Sequence, residues 1–177
     1  MKRSLPFVGL IAVACSLALS PGAVLAQGNF ETVSGDAFNR AIPVDIYLEG
    51  NRIPVEKRNS ELVKTPTGAR LVVGLIDTTG YSSQIKAKYI GMMITESKIA
   101  VCGNEIGVGS YGFGLDRPAP NSNGDATFHL YNQAGEKVGD CAAKKDDSMK
   151  QPKPLSVATS KGGPAKLYLG KYGIEIQ

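Results

Sequence analysis

The stretch Ile99–Leu115, which reads IAVCGNEIGVGSYGFGL, constrains the fold more than any other part of the chain. Two turn signals, at Gly103-Asn104 and at residues 107–110, divide it into three short pieces. Glycine adopts a positive φ angle without a steric clash, so Gly followed by Asn is typical of a two-residue hairpin loop. The stretch is therefore predicted to form three short strands joined by two turns.

The third of these strands is predicted to be bare on one face. Tyr111, Phe113 and Leu115 alternate with Gly112 and Gly114. A period of two places successive side chains on opposite faces of a strand. Because glycines along one face let another backbone or a large side chain approach closely, we expect a close neighbour over that face.

The first 26 residues have the pattern of an export signal. Lys2 and Arg3 precede an apolar run over residues 5–19, which is shorter than the roughly 20 residues that span a bilayer. A signal-peptidase site then fits residues 24–26, so we predict cleavage after Ala26.

The predicted cleavage divides the chain into a signal peptide, residues 1–26, and a single β-rich domain, residues 27–177. We expect this domain to be exported to the periplasm or secreted, with no transmembrane span of its own. The alternative is a lipoprotein anchored at Cys15, which follows the residues Ala12-Val13-Ala14.

Two of the three cysteines, Cys102 and Cys141, lie in the predicted exported domain. In an oxidising compartment an even pair of cysteines predicts one disulfide bond. Closing a loop of this length is worth roughly 4 kcal/mol on the chain-entropy model. The alternative is a pair of buried free thiols.

Short apolar or alternating pieces separated by turn residues recur along the rest of the chain. The most apolar of them, Leu71–Ile76, predicts a strand that is buried on both faces. Ser82–Lys88 is the best helix candidate, and residues 56–60 are expected to be a charged connection between two strands. The other predicted strands are residues 44–48, 53–55, 91–95, 126–131, 137–141, 155–158, 166–169 and 172–176.

This pattern predicts an all-β fold, an antiparallel β-sandwich of about 8–10 short strands with one short helix. A partly open β-barrel is the alternative, because both folds are built from many short antiparallel strands.

Charge and ligand chemistry exclude several classes of function. Without Lys2 and Arg3, 18 of the 20 basic residues remain against 16 acidic ones, a net charge of +2. Such a balance is not that of a nucleic-acid-binding protein, so no nucleic-acid partner is expected. With one histidine, His129, and no C-x-x-C pair, we also expect no metal site and no cofactor.

Gly107, Gly109 and Gly112 spell G-x-G-x-x-G and resemble both the dinucleotide-binding motif and the glycine loop of protein kinases. The dinucleotide motif must open a helix, whereas the residues here favour a strand. The lysine, catalytic-loop and D-F-G motifs of a kinase do not occur in the chain. These glycines are therefore interpreted as structural residues of a tight hairpin.

The sequence Asp77-Thr78-Thr79-Gly80 resembles the aspartic-protease signature, with one additional threonine. The catalytic aspartate of that family needs its glycine at a fixed distance, and no second such motif occurs in the chain. The alternative interpretation is an aspartate that caps the following turn.

The candidate binding residues are Tyr111, His129 and Tyr131, and no catalytic residue is assigned. We expect an exported, non-enzymatic domain that binds a protein or a carbohydrate or other envelope component. Carbohydrate-binding sandwiches commonly offer exposed aromatic side chains as platforms for the ligand. Because this domain contains no tryptophan, its tyrosines are the candidates for that role. The alternative is a small secreted hydrolase with carboxylate-based chemistry. The tyrosines considered as platforms are Tyr47, Tyr81, Tyr111, Tyr131, Tyr168 and Tyr172.

Overall fold

A computed structural model describes residues 28–119 and 122–177. The predicted signal peptide and Cys15, the anchor of the alternative lipoprotein prediction, lie outside these residues. Within the described ranges the chain forms thirteen strands and two short helices. In chain order they are β1 (Glu31–Val33), α1 (Asp36–Ala41), β2 (Asp45–Leu48), β3 (Asn51–Lys64), β4 (Arg70–Ile76), α2 (Ser83–Lys88), β5 (Gly91–Thr95), β6 (Ile99–Val101), β7 (Asn104–Ile106), β8 (Gly109–Asp116), β9 (Ala126–Asn132), β10 (Lys137–Lys145), β11 (Ser156–Ala158), β12 (Ala165–Leu169) and β13 (Tyr172–Ile176).

One antiparallel sheet runs in the order β1-β3-β4-β5-β8-β9-β10-β13-β12-β11. Its last strand, β11, returns to contact β3, so the sheet nearly closes into a barrel. The predicted all-β antiparallel fold is confirmed. The curved sheet, whose opposite walls pack against each other, fits both the β-sandwich and the partly open barrel that the sequence predicts.

The sheet has a hydrophobic core on each side. The first core fills the interior with residues such as Leu71, Phe113 and Phe128. The second lies outside β3, β4 and β5, where residues of β2 and α2 cover it. Val73 belongs to the interior core and Val72 to the outer core, which confirms that β4 is buried on both faces.

Strand β3 differs from its prediction. Residues 56–60 are not a connection between two strands, because β3 continues through them for 14 residues. The chain accommodates them as a bulge: Val55 pairs with Ile76 and Ser60 with Gly74, so β3 uses more residues than β4 over this stretch. The Ser60 hydroxyl donates a hydrogen bond to the Glu56 carbonyl at 2.9 Å inside the bulge. A bulge of this kind leaves the extra residues unpaired while the strand continues on both sides of it.

Both helices are short, and α2 begins as predicted. The Ser82 hydroxyl accepts a hydrogen bond from the Ile85 amide at 3.3 Å, which caps the first turn. Ile85 and Tyr89 are buried. A second helix, α1, lies where the sequence has little periodicity. No helix among the described residues is long and apolar enough to cross a membrane.

The disulfide between Cys102 and Cys141 is confirmed. Their Cα atoms lie 5.9 Å apart, and 39 positions separate them in sequence. The hairpin turn beside it is shifted by one residue from its prediction: Cys102 (φ 56°) and Gly103 (φ 75°) form the turn, and Asn104 begins β7. A type I′ loop needs a positive φ at both central residues, so Cys102 takes a position that asparagine, aspartate or glycine usually fills.

Candidate functional site

His129 lies on the outer face of β9 between two carboxylates. Its Nε2 atom is 3.0 Å from Asp116 Oδ2, and its Nδ1 atom is 3.9 Å from Asp140 Oδ2. Only 14% of the His129 side chain is exposed, so it is less solvated than a histidine on a polar strand face usually is. The carboxylates reach it from the neighbouring strands β8 and β10.

Lys137 is a further charged member of this cluster. Its ammonium group lies 2.9 Å from Asp140 Oδ2 and, with His129, holds the pKa of Asp140 below its ordinary value. The result is a paired surface cluster of a histidine, a lysine and two carboxylates. Among residues 28–119 and 122–177, no set of three or more His, Cys, Asp or Glu side chains is placed to hold a metal ion.

The three candidate binding residues do not form one site. Tyr131 is beside His129 on the same face of β9, with 6.3 Å between the two ring centroids. Tyr111 packs on the interior core from the opposite face of the sheet. Its hydroxyl donates to the Gly107 carbonyl at 3.0 Å. The alternation along β8 explains this result, because it places Tyr111 with Phe113 and not with the glycines.

A second polar cluster, centred on Lys88, was missed by the sequence analysis. The Lys88 ammonium donates to Glu49 Oε1 and to the Gly135 carbonyl, each at 2.5 Å. Its Nζ atom lies 4.7 Å from the ring centroid of Tyr131, within the range of a cation–π contact. The buried hydroxyl of Tyr89 donates to the same Glu49 oxygen at 2.6 Å.

These contacts shift the ionisation of two groups in opposite directions. The hydrogen bonds from Lys88 and Tyr89 lower the pKa of Glu49, because they favour the charged carboxylate. Burial, together with the neighbouring Glu49, raises the pKa of the Tyr89 phenol. The Lys88 cluster therefore holds a carboxylate and a neutral phenol, and it joins the end of α2 to two hairpin turns.

The bare face of β8 is what admits this cluster. A Cβ atom on Gly112 would lie 2.6 Å from Cδ1 of Tyr89, and one on Gly114 would collide with the Lys88 carbonyl. The expected close neighbour over the β8 glycines is therefore confirmed. The alternating glycines of β8 are the feature of the sequence that predicted this close contact. The sequence did not reveal which residues make it.

Asp77 and the glycines of the nucleotide-like motif have structural roles. The Asp77 carboxylate accepts a hydrogen bond from the Thr79 amide at 2.9 Å, and contacts with Thr79 lower its pKa. It caps the turn, as the alternative interpretation predicted. Gly109 and Gly112 lie in the strand β8 and do not precede a helix.

A groove of about 530 Å³ lies on the surface where β10 and β13 diverge. The two strands pair only at Lys144 with Gly173 and at Lys145 with Tyr172. Beyond these pairs, β6 replaces β10 as the neighbour of β13, and the Cys102 amide donates to the Glu175 carbonyl at 3.0 Å. The hairpin of β6 and β7 therefore lies between the diverging strands.

The disulfide fastens that hairpin to β10 and forms part of the groove wall. The rest of the wall carries charges of both signs and one tyrosine. We call this feature the β10–β13 groove. Its lining residues are Cys102, Cys141, Ala142, Lys144, Lys145, Asp146, Asp147, Lys166, Tyr168, Gly173, Ile174 and Glu175.

The chain matches no protein-family model, no curated protein and no solved structure. The chemistry of the site is therefore argued from the residues themselves. His129, beside its carboxylates, does not line the groove. The groove combines a volume in the range of small-ligand sites with hydrogen-bonding groups on its walls.

Proposed function

We propose that the protein is an exported, non-enzymatic binding domain for an envelope component, protein or carbohydrate. The proposal includes a signal peptide over residues 1–26 and one β domain over residues 27–177. The disulfide supports export, since such bonds persist in oxidising compartments. The observation that carries the binding function is the β10–β13 groove, an open depression whose wall the disulfide stabilises.

The groove fits a binding function better than a catalytic one. Strands of the sheet form the walls of the groove, so strand pairing positions the lining side chains. Its charged groups already have partners: Lys145 lies 3.0 Å from Asp147, and Lys166 lies 3.9 Å from Glu175. General acid–base catalysis instead needs a group poised to exchange a proton with a substrate.

Binding of the purified domain to isolated cell envelopes tests the proposal. Ala142 is exposed in the groove, so Ala142→Arg is expected to block the groove and to reduce the bound fraction strongly. Val138 is also exposed and lies on the same strand outside the groove, so Val138→Arg is the matched control and should bind as the wild type does. Equal binding by the two variants, or no binding by the wild type, would contradict the proposal.

A second candidate function is a small secreted hydrolase with carboxylate-based chemistry. The observation that favours it is the contact of His129 with Asp116, which orients the imidazole as a carboxylate does in many hydrolases. Chromogenic ester and glycoside substrates test it. Turnover that His129→Ala abolishes and that Val138→Arg leaves intact would support a hydrolase, whereas no turnover by the wild type would reject it for these substrate classes.

A further inference from the structure

Tyr168 lies in the β10–β13 groove, and its neighbours fix the position of its ring. It is half-buried on β12, directly opposite Gly173 on β13. A Cβ atom on Gly173 would lie 2.7 Å from Cε1 of the tyrosine ring, so the ring lies in space that only glycine leaves open. The Tyr168 hydroxyl contacts Asp146 Oδ2 at 3.4 Å from the other wall. The ring is therefore positioned before any ligand arrives.

The formal charges of the residues that line the groove cancel. Three lysines and three carboxylates line the groove. Each lysine has a carboxylate within 4 Å: Lys144 pairs with Asp125 at 2.7 Å, and the other two pairs lie inside the groove. Contacts of Ser148 with Asp146 hold that carboxylate in place, at 3.0 Å from the amide and 2.5 Å from the hydroxyl. A strongly charged ligand would find no net attraction here.

We propose that the groove binds a neutral, hydroxyl-rich oligosaccharide, with Tyr168 as the platform on which one sugar ring packs. The proposal rests on the binding function proposed above and names its ligand class. A sugar presents an apolar face of C–H groups and a rim of hydroxyls. The aromatic ring contacts the face, and the flanking carboxylates and ammonium groups accept and donate hydrogen bonds at the rim.

Isothermal titration calorimetry tests the proposal with three neutral probes, fully N-acetylated chitotetraose, cellotetraose and maltotetraose. At least one should bind the wild-type protein. Tyr168→Ala should weaken that binding by at least about tenfold, which corresponds to 1.4 kcal/mol. Tyr168→Phe keeps the ring and should bind nearly as well as the wild type. Tyr47→Ala removes a tyrosine that is 57% exposed on β2 and should leave the affinity unchanged.

Gly173→Ala provides a second test that does not remove the ring. The new methyl group would displace Tyr168 while every charge of the groove remains. We expect a loss of affinity like that of Tyr168→Ala, in a protein whose thermal unfolding remains cooperative. This variant keeps the proposal testable if Tyr168→Ala impairs folding.

The outcomes separate this proposal from the one it rests on. Failure of the wild type to bind any of the three probes, or equal affinities of Tyr168→Ala and the wild type, would overturn the oligosaccharide assignment. Binding to whole envelopes that protease treatment of the envelopes abolishes would also overturn it, because the ligand would then be a protein, but the proposed binding function would stand. Failure to bind whole envelopes would reject the proposed function itself.

Discussion

Removing the disulfide should cost the protein about 4 kcal/mol of stability. The bond closes a loop with a sequence separation of 39. On the chain-entropy model the lost entropy is about 2.1 + 1.5R ln 39, near 13 cal/mol/K, which is about 4 kcal/mol at 25 °C. Domains of this size have a total stability of roughly 5–15 kcal/mol, so the loss is a large share.

Two double variants separate the entropy effect of the lost cross-link from the backbone strain at position 102. Cys102 has a positive φ of 56°, in the left-handed region where serine is disfavoured and asparagine is tolerated. Both C102S/C141S and C102N/C141S lose the cross-link. We expect the asparagine variant to be more stable than the serine variant by about 1 kcal/mol, because its backbone strain is smaller.

Urea unfolding followed by circular dichroism measures both effects. The free energy of unfolding in water should fall by about 4 kcal/mol in the serine variant. The m-value should rise, since a denatured chain without the cross-link exposes more surface. A loss below about 1 kcal/mol, far under the chain-entropy value, would refute the reasoning. Two titratable thiols in the native wild-type protein would refute the bond itself.

Three further predictions concern the Lys88 cluster, the bare face of β8 and export. Glu49→Gln should lower stability by about 1–3 kcal/mol at pH 7. Because the pKa of Glu49 is lowered on folding, this difference should shrink as the pH falls below about 4, which urea unfolding at several pH values measures. Gly112→Ala should cost about 1–3 kcal/mol, since its Cβ would overlap the Tyr89 ring, whereas Gly107→Ala, with nothing within 4 Å, should be nearly neutral in thermal unfolding. Intact mass of the exported protein should show Gln27 as the first residue, and a lipid-modified Cys15 would contradict this.

Much of the fold could be predicted because local alternation reports which face of a strand is buried. Phe128 and Leu130 point into the interior core, while His129 lies on the outer face, as the period of two along a strand requires. The run of apolar residues in β4 likewise predicted burial on both faces. In each case the pattern within a single strand was sufficient.

The features that the sequence analysis missed depend on pairing between distant residues. The bulge in β3 is defined only by its register with β4. Glu49 and Lys88 are 39 positions apart, so their ion pair forms only when the hairpin turn folds onto α2. Glutamate in a turn and lysine at a helix end are ordinary surface residues in a sequence, and nothing local marks them as partners.

The β10–β13 groove was beyond prediction for the same reason. It exists because two strands pair at only two positions and then diverge around a hairpin. Tyr168 was one of six tyrosines considered as platforms. Its distinguishing feature is Gly173 on the facing strand, which becomes visible only when the register of β12 and β13 is known. Register is set by tertiary pairing as well as by local pattern.

Hydrogen–deuterium exchange of the domain bound to isolated envelopes tests the central claim most directly. If the β10–β13 groove holds the envelope component, binding should slow exchange in residues 141–147 and 166–175, which form its walls. Exchange in β2, on another part of the surface, should not change. Slowed exchange at β2 with unchanged exchange at the groove walls would contradict the claim, since it would place the component on a different surface.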